Sequence, residues 1–271
     1  MRFARLALPV LLLSTTVVTV PASANSLLPH RAVYDLALDD ASDRSGITGI
    51  SGRMVYEFNG SSCEGYTVTF RFVTQIQTSD VARLTDQQTT TFEGGDGETF
   101  SFVTRSFVDD QLSKELRGNA RLEPDETLVD IEEPERQEIS LEATQFPTQH
   151  LLELLDKARA GETFYETTLF DGSEDADKVM TTSVVIGRPS TPTANDAEAE
   201  AIGPLKQDRY WPVDVAYFDL TTGEETPTYR ISFKLHENGV TRDLVMDYGD
   251  FSMSGTLVDL SMFDVTDTCA Q

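Results

Sequence analysis

The sequence predicts an all-β protein built on one large, mostly antiparallel sheet. Three observations lead to this prediction. From Tyr66 to Gln77 apolar and polar side chains alternate over about twelve residues, which is typical of a long, half-buried strand. Glycine- and asparagine-containing turns separate such segments, so neighbours in sequence are expected to pair. Strands this long with one apolar face need a second layer or closure into a barrel.

The same alternation predicts further strands on both sides of this segment. It recurs at 32–38, 50–58, 100–102 and 229–235. Asn59-Gly60 and Asn238-Gly239 are dipeptides that close tight hairpins, and the second predicts a hairpin between 229–236 and 240–248. The glycines of 94–97 separate two more predicted strands, 81–92 and 98–107.

One segment has a helical pattern instead. Leucines at 151, 152, 154 and 155 and an alanine at 158 predict a helix of about a dozen residues with a wide apolar face. Thr148 is its predicted N-cap and Gly161 its predicted end. We expect this helix to cover one opening of the sheet. Residues 188–205, rich in proline, threonine, alanine and acidic residues, predict an exposed loop, with a domain linker as the alternative.

The N-terminus has the features of a secretory signal peptide. Arg2 and Arg5 precede an apolar run over 6–20, and Ala22-Ser23-Ala24 forms a small-residue cleavage site. The run is about 15 residues long, shorter than the roughly 20 that a spanning helix needs. We expect a signal peptide over 1–24 and a single β-barrel-like domain over 25–271. The mature chain is expected in the bacterial periplasm and not in the membrane.

Two cysteines, Cys63 and Cys269, lie near opposite ends of the expected mature chain. In an oxidising compartment a disulfide between them would close most of the fold into one loop. Its entropic effect on the unfolded chain would be about 5 kcal/mol for a loop of roughly 200 residues. Two unconnected thiols and a bridge between two molecules are the alternatives.

The charge balance excludes some partners. The chain has 46 acidic and 21 basic residues and a formal charge of −25, which becomes −27 once Arg2 and Arg5 are removed. Nucleic acids and anionic lipid surfaces are poor partners for such a chain, because both attract basic proteins. High charge alone favours solubility. An acidic face for a basic partner or for divalent cations is the alternative.

The sequence contains no recognisable catalytic or metal-binding motif. Its three histidines, His30, His150 and His236, have no ligand spacing to one another, and no nucleophile, nucleotide or phosphate motif occurs. The acidic segments 39–43 and 171–177 offer oxygen ligands for calcium, but their spacing is not that of an EF-hand. We therefore predict no catalytic residue, no metal site and no cofactor.

Aromatic residues are the remaining candidates for a binding site. The segment around the only tryptophan contains Trp211, Tyr217 and Phe218, and the long strand contributes Tyr66, Phe70 and Phe72. These six side chains either fill the core or line an apolar cavity.

Several motifs together resemble the EipB family of cell-envelope-integrity proteins, which are periplasmic proteins of alphaproteobacteria. The resemblance is carried by the motifs at 29–36 (PHRAVYDL), 63–66 (CEGY), 116–120 (LRGNA), 146–150 (FPTQH), 211–213 (WPV) with 217–218 (YF), and 238–240 (NGV) with 247–251 (DYGDF). Their order spans almost the whole mature chain. The family pattern includes a cysteine after the second strand and one near the C-terminus, as at Cys63 and Cys269. Tryptophan is usual in the family where this chain has Tyr66.

The resemblance implies a spiral-like, incompletely closed antiparallel β-barrel with a few helices and an internal disulfide. It also implies a non-catalytic role in envelope integrity in a Gram-negative bacterium and contact with a periplasmic tetratricopeptide-repeat protein. Two alternative functions stay open. One is a carrier or sensor that holds a lipid or lipoprotein acyl chain in an apolar barrel cavity. The other is a hydrolase of an envelope polymer, since carboxylates are plentiful.

Overall fold

The computed structural model describes residues 27–264, apart from Glu174 and Glu224. The predicted signal peptide over 1–24 and Cys269 lie outside the described residues. In chain order the elements are β1 (His30–Ala41), β2 (Ile47–Ser61), β3 (Gly65–Thr78), β4 (Ala82–Glu93), β5 (Thr99–Val108), β6 (Gln111–Leu122), β7 (Glu126–Glu133), β8 (Gln137–Glu142), α1 (Pro147–Ala160), β9 (Phe164–Leu169), β10 (Met180–Ile186), β11 (Tyr210–Phe218), β12 (Tyr229–His236), β13 (Thr241–Asp247) and β14 (Phe251–Met262). Short 3-10 helices lie at Gly203–Gln207 and Leu220–Thr222.

All fourteen strands form one sheet, in the order β8-β7-β6-β5-β4-β3-β2-β1-β14-β13-β12-β11-β10-β9. Every pair of neighbouring strands is antiparallel. The terminal strands β8 and β9 do not pair with each other. A single parallel bridge between Gln145 and Leu169 links the chain after β8 to the end of β9. The predicted fold class, a large, incompletely closed antiparallel barrel, is confirmed.

The alternation in the sequence separates an apolar inner face from a charged outer face. On the inner face Tyr56 of β2 pairs with Phe70 of β3, and Met54 pairs with Phe72. On the outer face Arg71 of β3 forms an ion pair with Asp86 of β4, with 2.9 Å between Nη2 and Oδ2. Because the side-chain period of a strand is two, alternation within a strand is enough to place most of its apolar residues on the inner face. Phe92, Phe164 and Val185 are exceptions and are exposed.

Helix α1 covers one end of the barrel, as predicted. Leu154 and Leu155 are each 1 % exposed and belong to a core cluster that includes Phe58, Tyr66 and Trp211. Gly161 ends the helix in the left-handed conformation, with φ of 79°. The prediction of Thr148 as N-cap is wrong. The carboxylate of Glu93 on β4 performs this role and accepts hydrogen bonds from the main-chain N–H groups of Thr148 and Gln149 at 2.7 and 3.0 Å.

The loop over 188–205 was predicted to be exposed, but its second half is partly buried. Glu198, Ile202 and Leu205 are buried, and the last two belong to a core cluster with residues of β1, β2, β13 and β14. Acidic residues alternate with alanines up to residue 201, and Ile202 and Leu205 stand apart, so no apolar run marks this segment as buried. This half of the loop is therefore part of the barrel wall. Ile202 and Leu205 fill the core, and the carboxylate of Glu198 accepts hydrogen bonds from main-chain N–H groups of the sheet.

The turn at Asn59-Gly60 is also in a different place. Gly60 still belongs to β2, where it pairs with Tyr66, and the reversal occurs at residues 62–64. With φ of +111°, Gly60 lies so close to the next strand that a Cβ would come within 2.1 Å of the carbonyl oxygen of Gly65. The glycine thus permits close strand contact rather than a tight turn. The predicted hairpin at Asn238-Gly239 is confirmed by β12 and β13.

Candidate functional site

The three histidines are buried in separate places. His30 and His236 are 2 % and 0 % exposed, and His150 lies with its Nε2 3.2 Å from the hydroxyl of Thr182. Burial disfavours the charged imidazole and lowers the pKa of His150 and of His236 to about 4. The structure does not bring the histidines together, so they act as neutral groups in the core.

The acidic segments that offered calcium ligands are used in local contacts. Asp39 accepts a hydrogen bond from the hydroxyl of Ser252, and Asp175 forms an ion pair with Lys114 at 2.6 Å. Among the described residues no group of three or more histidine, cysteine or carboxylate side chains is placed to hold a metal ion.

The six predicted aromatic residues fall into different environments. Tyr66 and Trp211 are buried in the cluster that α1 completes, and half-buried Tyr217 packs against the same cluster. Phe70 and Phe72 stack at 5.9 Å between ring centroids and pack, half-buried, against the second cluster. Phe218 is half-buried and pairs with Thr181 of β10. The six residues therefore do not line one common site, although Phe70 and Phe72 keep part of their surface accessible.

Cys63 lies in the exposed turn between β2 and β3. Its predicted partner, Cys269, lies outside the described residues, so the disulfide stays a prediction. The register of the sheet is compatible with it. His30 at the start of β1 pairs with Phe58 on one side and with Met262 on the other. The turn with Cys63 and the end of β14 therefore extend from the same end of the sheet.

The sheet fails to close along a seam between the terminal strands β8 and β9. A cavity of about 730 Å³ lies there, lined by Glu98, Leu122, Glu123, Pro124, Ala143, Thr144, Gln145, Glu153, Thr167 and Thr168. A second cavity of about 510 Å³ lies along α1 and shares Gln145 and Glu153 with the first. Because the two cavities share these lining residues, we call them together the seam groove.

Gln145 organises the middle of the seam groove. Its side-chain amide donates to Oε2 of Glu153 at 2.8 Å and to the hydroxyl of Thr167 at 2.9 Å. The carboxylates of Glu98, Glu123 and Glu153 face this groove, and Glu123 pairs with Arg121 at 2.6 Å. The arrangement offers hydrogen-bonding groups and negative charge to a ligand.

Sequence reasoning missed this groove because its residues come from four separated segments. Glu98 lies in the β4–β5 turn, Glu123 follows β6, Glu153 lies on α1 and Thr167 lies on β9. None of these segments has a motif of its own. The one available signal was FPTQH at 146–150, which marks the start of α1 beside the groove.

Among the described residues, none of the helices has the length and hydropathy of a membrane-spanning segment.

Comparisons with known proteins give a consistent result. The EipB-like family profile matches residues 21–264. The "Cell envelope integrity protein EipB" of Brucella abortus (strain 2308) is 55 % identical over 245 residues, which cover 90 % of this chain and 87 % of that protein. A crystal structure of a beta-barrel-like protein of a domain of unknown function, also from Brucella abortus, superposes with a TM-score of 0.85 and 54 % identity. It covers 89 % of this chain and 100 % of that one.

Proposed function

Because the chain belongs to the EipB-like family, we propose that it maintains the cell envelope as a non-catalytic periplasmic protein that acts through contacts with other proteins. The name of the relative supports a role in envelope integrity. The proposal goes beyond that name in three respects, which are the periplasmic location, the contacts with other proteins and the absence of catalysis. The signal-peptide pattern at 1–24 supports the location.

The observation that carries the proposal is the open sheet. β8 pairs only with β7 within the described residues, and Glu138, Ser140 and Glu142 along it are exposed. A free strand edge presents unpaired N–H and C=O groups that another protein can bind. Acidic side chains on such an edge protect it from self-association, since two copies repel each other.

A periplasmic tetratricopeptide-repeat protein is the partner that the family resemblance implies. The acidic character of the chain, −25 overall, favours a partner with a basic surface. A nucleic acid would be repelled by the same charge.

Site-specific photo-crosslinking in living cells tests this proposal. A photoreactive amino acid replaces Glu138 on β8, and the control position is Ala37, which is exposed on the central strand β1. We expect covalent protein adducts at 138, including a tetratricopeptide-repeat protein, and none at 37. Absence of adducts along β8, in cells where the labelled protein restores detergent resistance, would contradict the proposal.

A lipid carrier is the second candidate. Phe70 and Phe72 stay half-buried on the inner face. Tyr217, Tyr229, Tyr248 and Phe251 form a chain of neighbouring aromatic rings, with 5.0 to 5.5 Å between successive centroids. These surfaces suit an acyl chain. Mass spectrometry of an organic extract of the purified periplasmic protein distinguishes the two candidates. A lipid in stoichiometric amount favours the carrier, and an extract without lipid favours the protein-contact function.

A further inference from the structure

Strand β9 has a free edge that faces the seam groove. One side of β9 pairs along its length with β10. On the other side, within the residues that the structure describes, the only pairing is the bridge between Leu169 and Gln145. Thr167 and Thr168 form one wall of the groove. Upstream of that bridge, the main-chain groups of β9 have no strand partner on this side in the described part of the chain.

The seam groove consists of two cavities of about 730 and 510 Å³ that share Gln145 and Glu153. Their lining residues extend from the β6–β7 turn to the end of α1. A strand rises about 3.3 Å per residue, so an elongated groove takes several residues of an extended segment. A compact ligand would use only part of it.

The negative charge of the groove favours a positively charged ligand. Glu98 and Glu153 form no ion pair with any described residue, and Glu123 has one cationic partner, Arg121. Lys157 is the only basic side chain among the lining residues, and it is paired with Glu162 at 3.2 Å. Carboxylates in a partly enclosed groove favour cationic side chains and disfavour anionic lipid head groups or acidic peptides.

We propose that the seam groove binds an extended, lysine- or arginine-containing segment of a partner protein, which adds as a strand to the free edge of β9. This inference rests on the proposed function and specifies its contact surface and the chemistry of the partner. Main-chain hydrogen bonds to β9 provide the docking. Because side chains of a strand alternate between two faces, every second residue of the segment points toward Glu98, Glu123 and Glu153.

The test uses a nine-residue peptide that alternates lysine with threonine, and a version of it with N-methyl groups on alternate amides. Both peptides carry the same charge, but the methylated one cannot form the main-chain hydrogen bonds of a strand. Binding to the purified full-length mature protein is measured by calorimetry at low salt. We expect the unmodified peptide to bind in the micromolar range and the methylated peptide to bind at least roughly tenfold more weakly.

Two double variants that change the net charge by the same amount distinguish an effect of the groove from an effect of the overall negative charge of the protein. Glu98→Lys/Glu153→Lys reverses two groove charges, whereas Asp43→Lys/Asp80→Lys reverses two exposed charges in the β1–β2 and β3–β4 turns. Circular dichroism and melting temperature confirm that each variant is folded. We expect the groove variant to lose roughly tenfold or more in affinity and the turn variant to lose little.

Three results would overturn the inference: no binding of the unmodified peptide, equal binding of the methylated peptide, or equal losses in the two variants. These results would leave the proposed function intact if photo-crosslinking at β8 still captures a partner. Loss of adducts at β8 together with binding of the peptide would instead remove the proposed function and keep the groove as a peptide site.

Discussion

Nη1 of Arg242 lies 3.0 Å from Oε2 of Glu198, and both side chains are almost completely buried. The other carboxylate oxygen of Glu198 accepts hydrogen bonds from the main-chain N–H groups of Asp243 at 3.0 Å and Leu257 at 2.6 Å. The ladder between β13 and β14 covers only residues 244–247 and 252–255. Glu198 therefore joins the two strands where their own pairing stops, and it fastens the 188–205 loop into the barrel wall.

Replacing Glu198 with alanine should be strongly destabilising. The change leaves Arg242 buried beside a single remaining carboxylate, Asp196, and leaves two main-chain donors without acceptors. Removing one member of a buried pair costs about 3–5 kcal/mol in the free energy of unfolding. Urea denaturation measures this loss. The control is Asp35→Ala, which breaks an exposed pair with Arg53 and should cost less than about 1 kcal/mol. Equal costs for the two variants would contradict this role of Glu198.

Stability should fall as the pH drops from about 6.5 toward 4. Burial lowers the pKa of His150 and of His236 to about 4, whereas the unfolded chain has the usual value of 6.5. As the pH falls, these histidines are therefore protonated in the unfolded chain before they are protonated in the folded protein. Their contribution to stability is fully present above pH 6.5 and is lost as the pH falls below it. For each histidine, the free energy of unfolding should fall by about 2 kcal/mol between pH 7 and pH 5.

Urea midpoints at these two pH values, for the native protein and for His150→Gln and His236→Gln, measure this effect. Each variant should lose less stability on acidification than the native protein does. Parallel pH profiles for all three proteins would show that the imidazoles are not held neutral in the core.

The predicted Cys63–Cys269 disulfide should raise the melting temperature. β14 and β2 lie on either side of β1, about 10 Å apart, and the seven residues that follow Met262 are enough to reach across to Cys63. Cys269→Ser should lower the melting temperature and increase protease sensitivity, with a loss of up to about 5 kcal/mol. A reducing agent should lower the melting temperature of the native protein to that of the variant. Identical melting with and without reductant would rule out a stabilising bridge.

The plug formed by α1 should depend on its buried leucines. Leu155 is 1 % exposed, and Leu155→Ala should cost about 2–5 kcal/mol through lost burial and an unfilled cavity. The matched control is Leu152→Ala, at a half-buried position of the same helix. Fluorescence of Trp211, the only tryptophan, which lies in the same cluster, follows unfolding. A larger loss for Leu152→Ala would mean that the helix packs on a different face.

The strands and the helix could be predicted because their signals are local. The alternation from Tyr66 onward lies within one strand, and the leucines of α1 repeat within about a dozen residues. The contacts that fix these elements are not local. Glu93 caps α1 from 55 residues away, and Glu198 binds Leu257 from 59 residues away. A single sequence offers no pattern that links such residues.

The candidate site was hidden for the same reason. The predicted aromatics Trp211 and Tyr66 proved to be core residues, because α1 packs directly onto them. The carboxylates of the seam groove, by contrast, are unremarkable in sequence among 46 acidic residues. They become a site only because the sheet stops short of closure and β9 ends beside Gln145.

We propose that envelope integrity depends on protein contacts in the seam groove beside β9. The most direct test is complementation of a deletion strain by Glu98→Lys/Glu153→Lys and by Asp43→Lys/Asp80→Lys, with equal periplasmic levels of both proteins. Survival in detergent is the readout. We expect the turn variant to restore native survival and the groove variant to fail to restore it. Full rescue by the groove variant would contradict a role of the seam groove in envelope integrity.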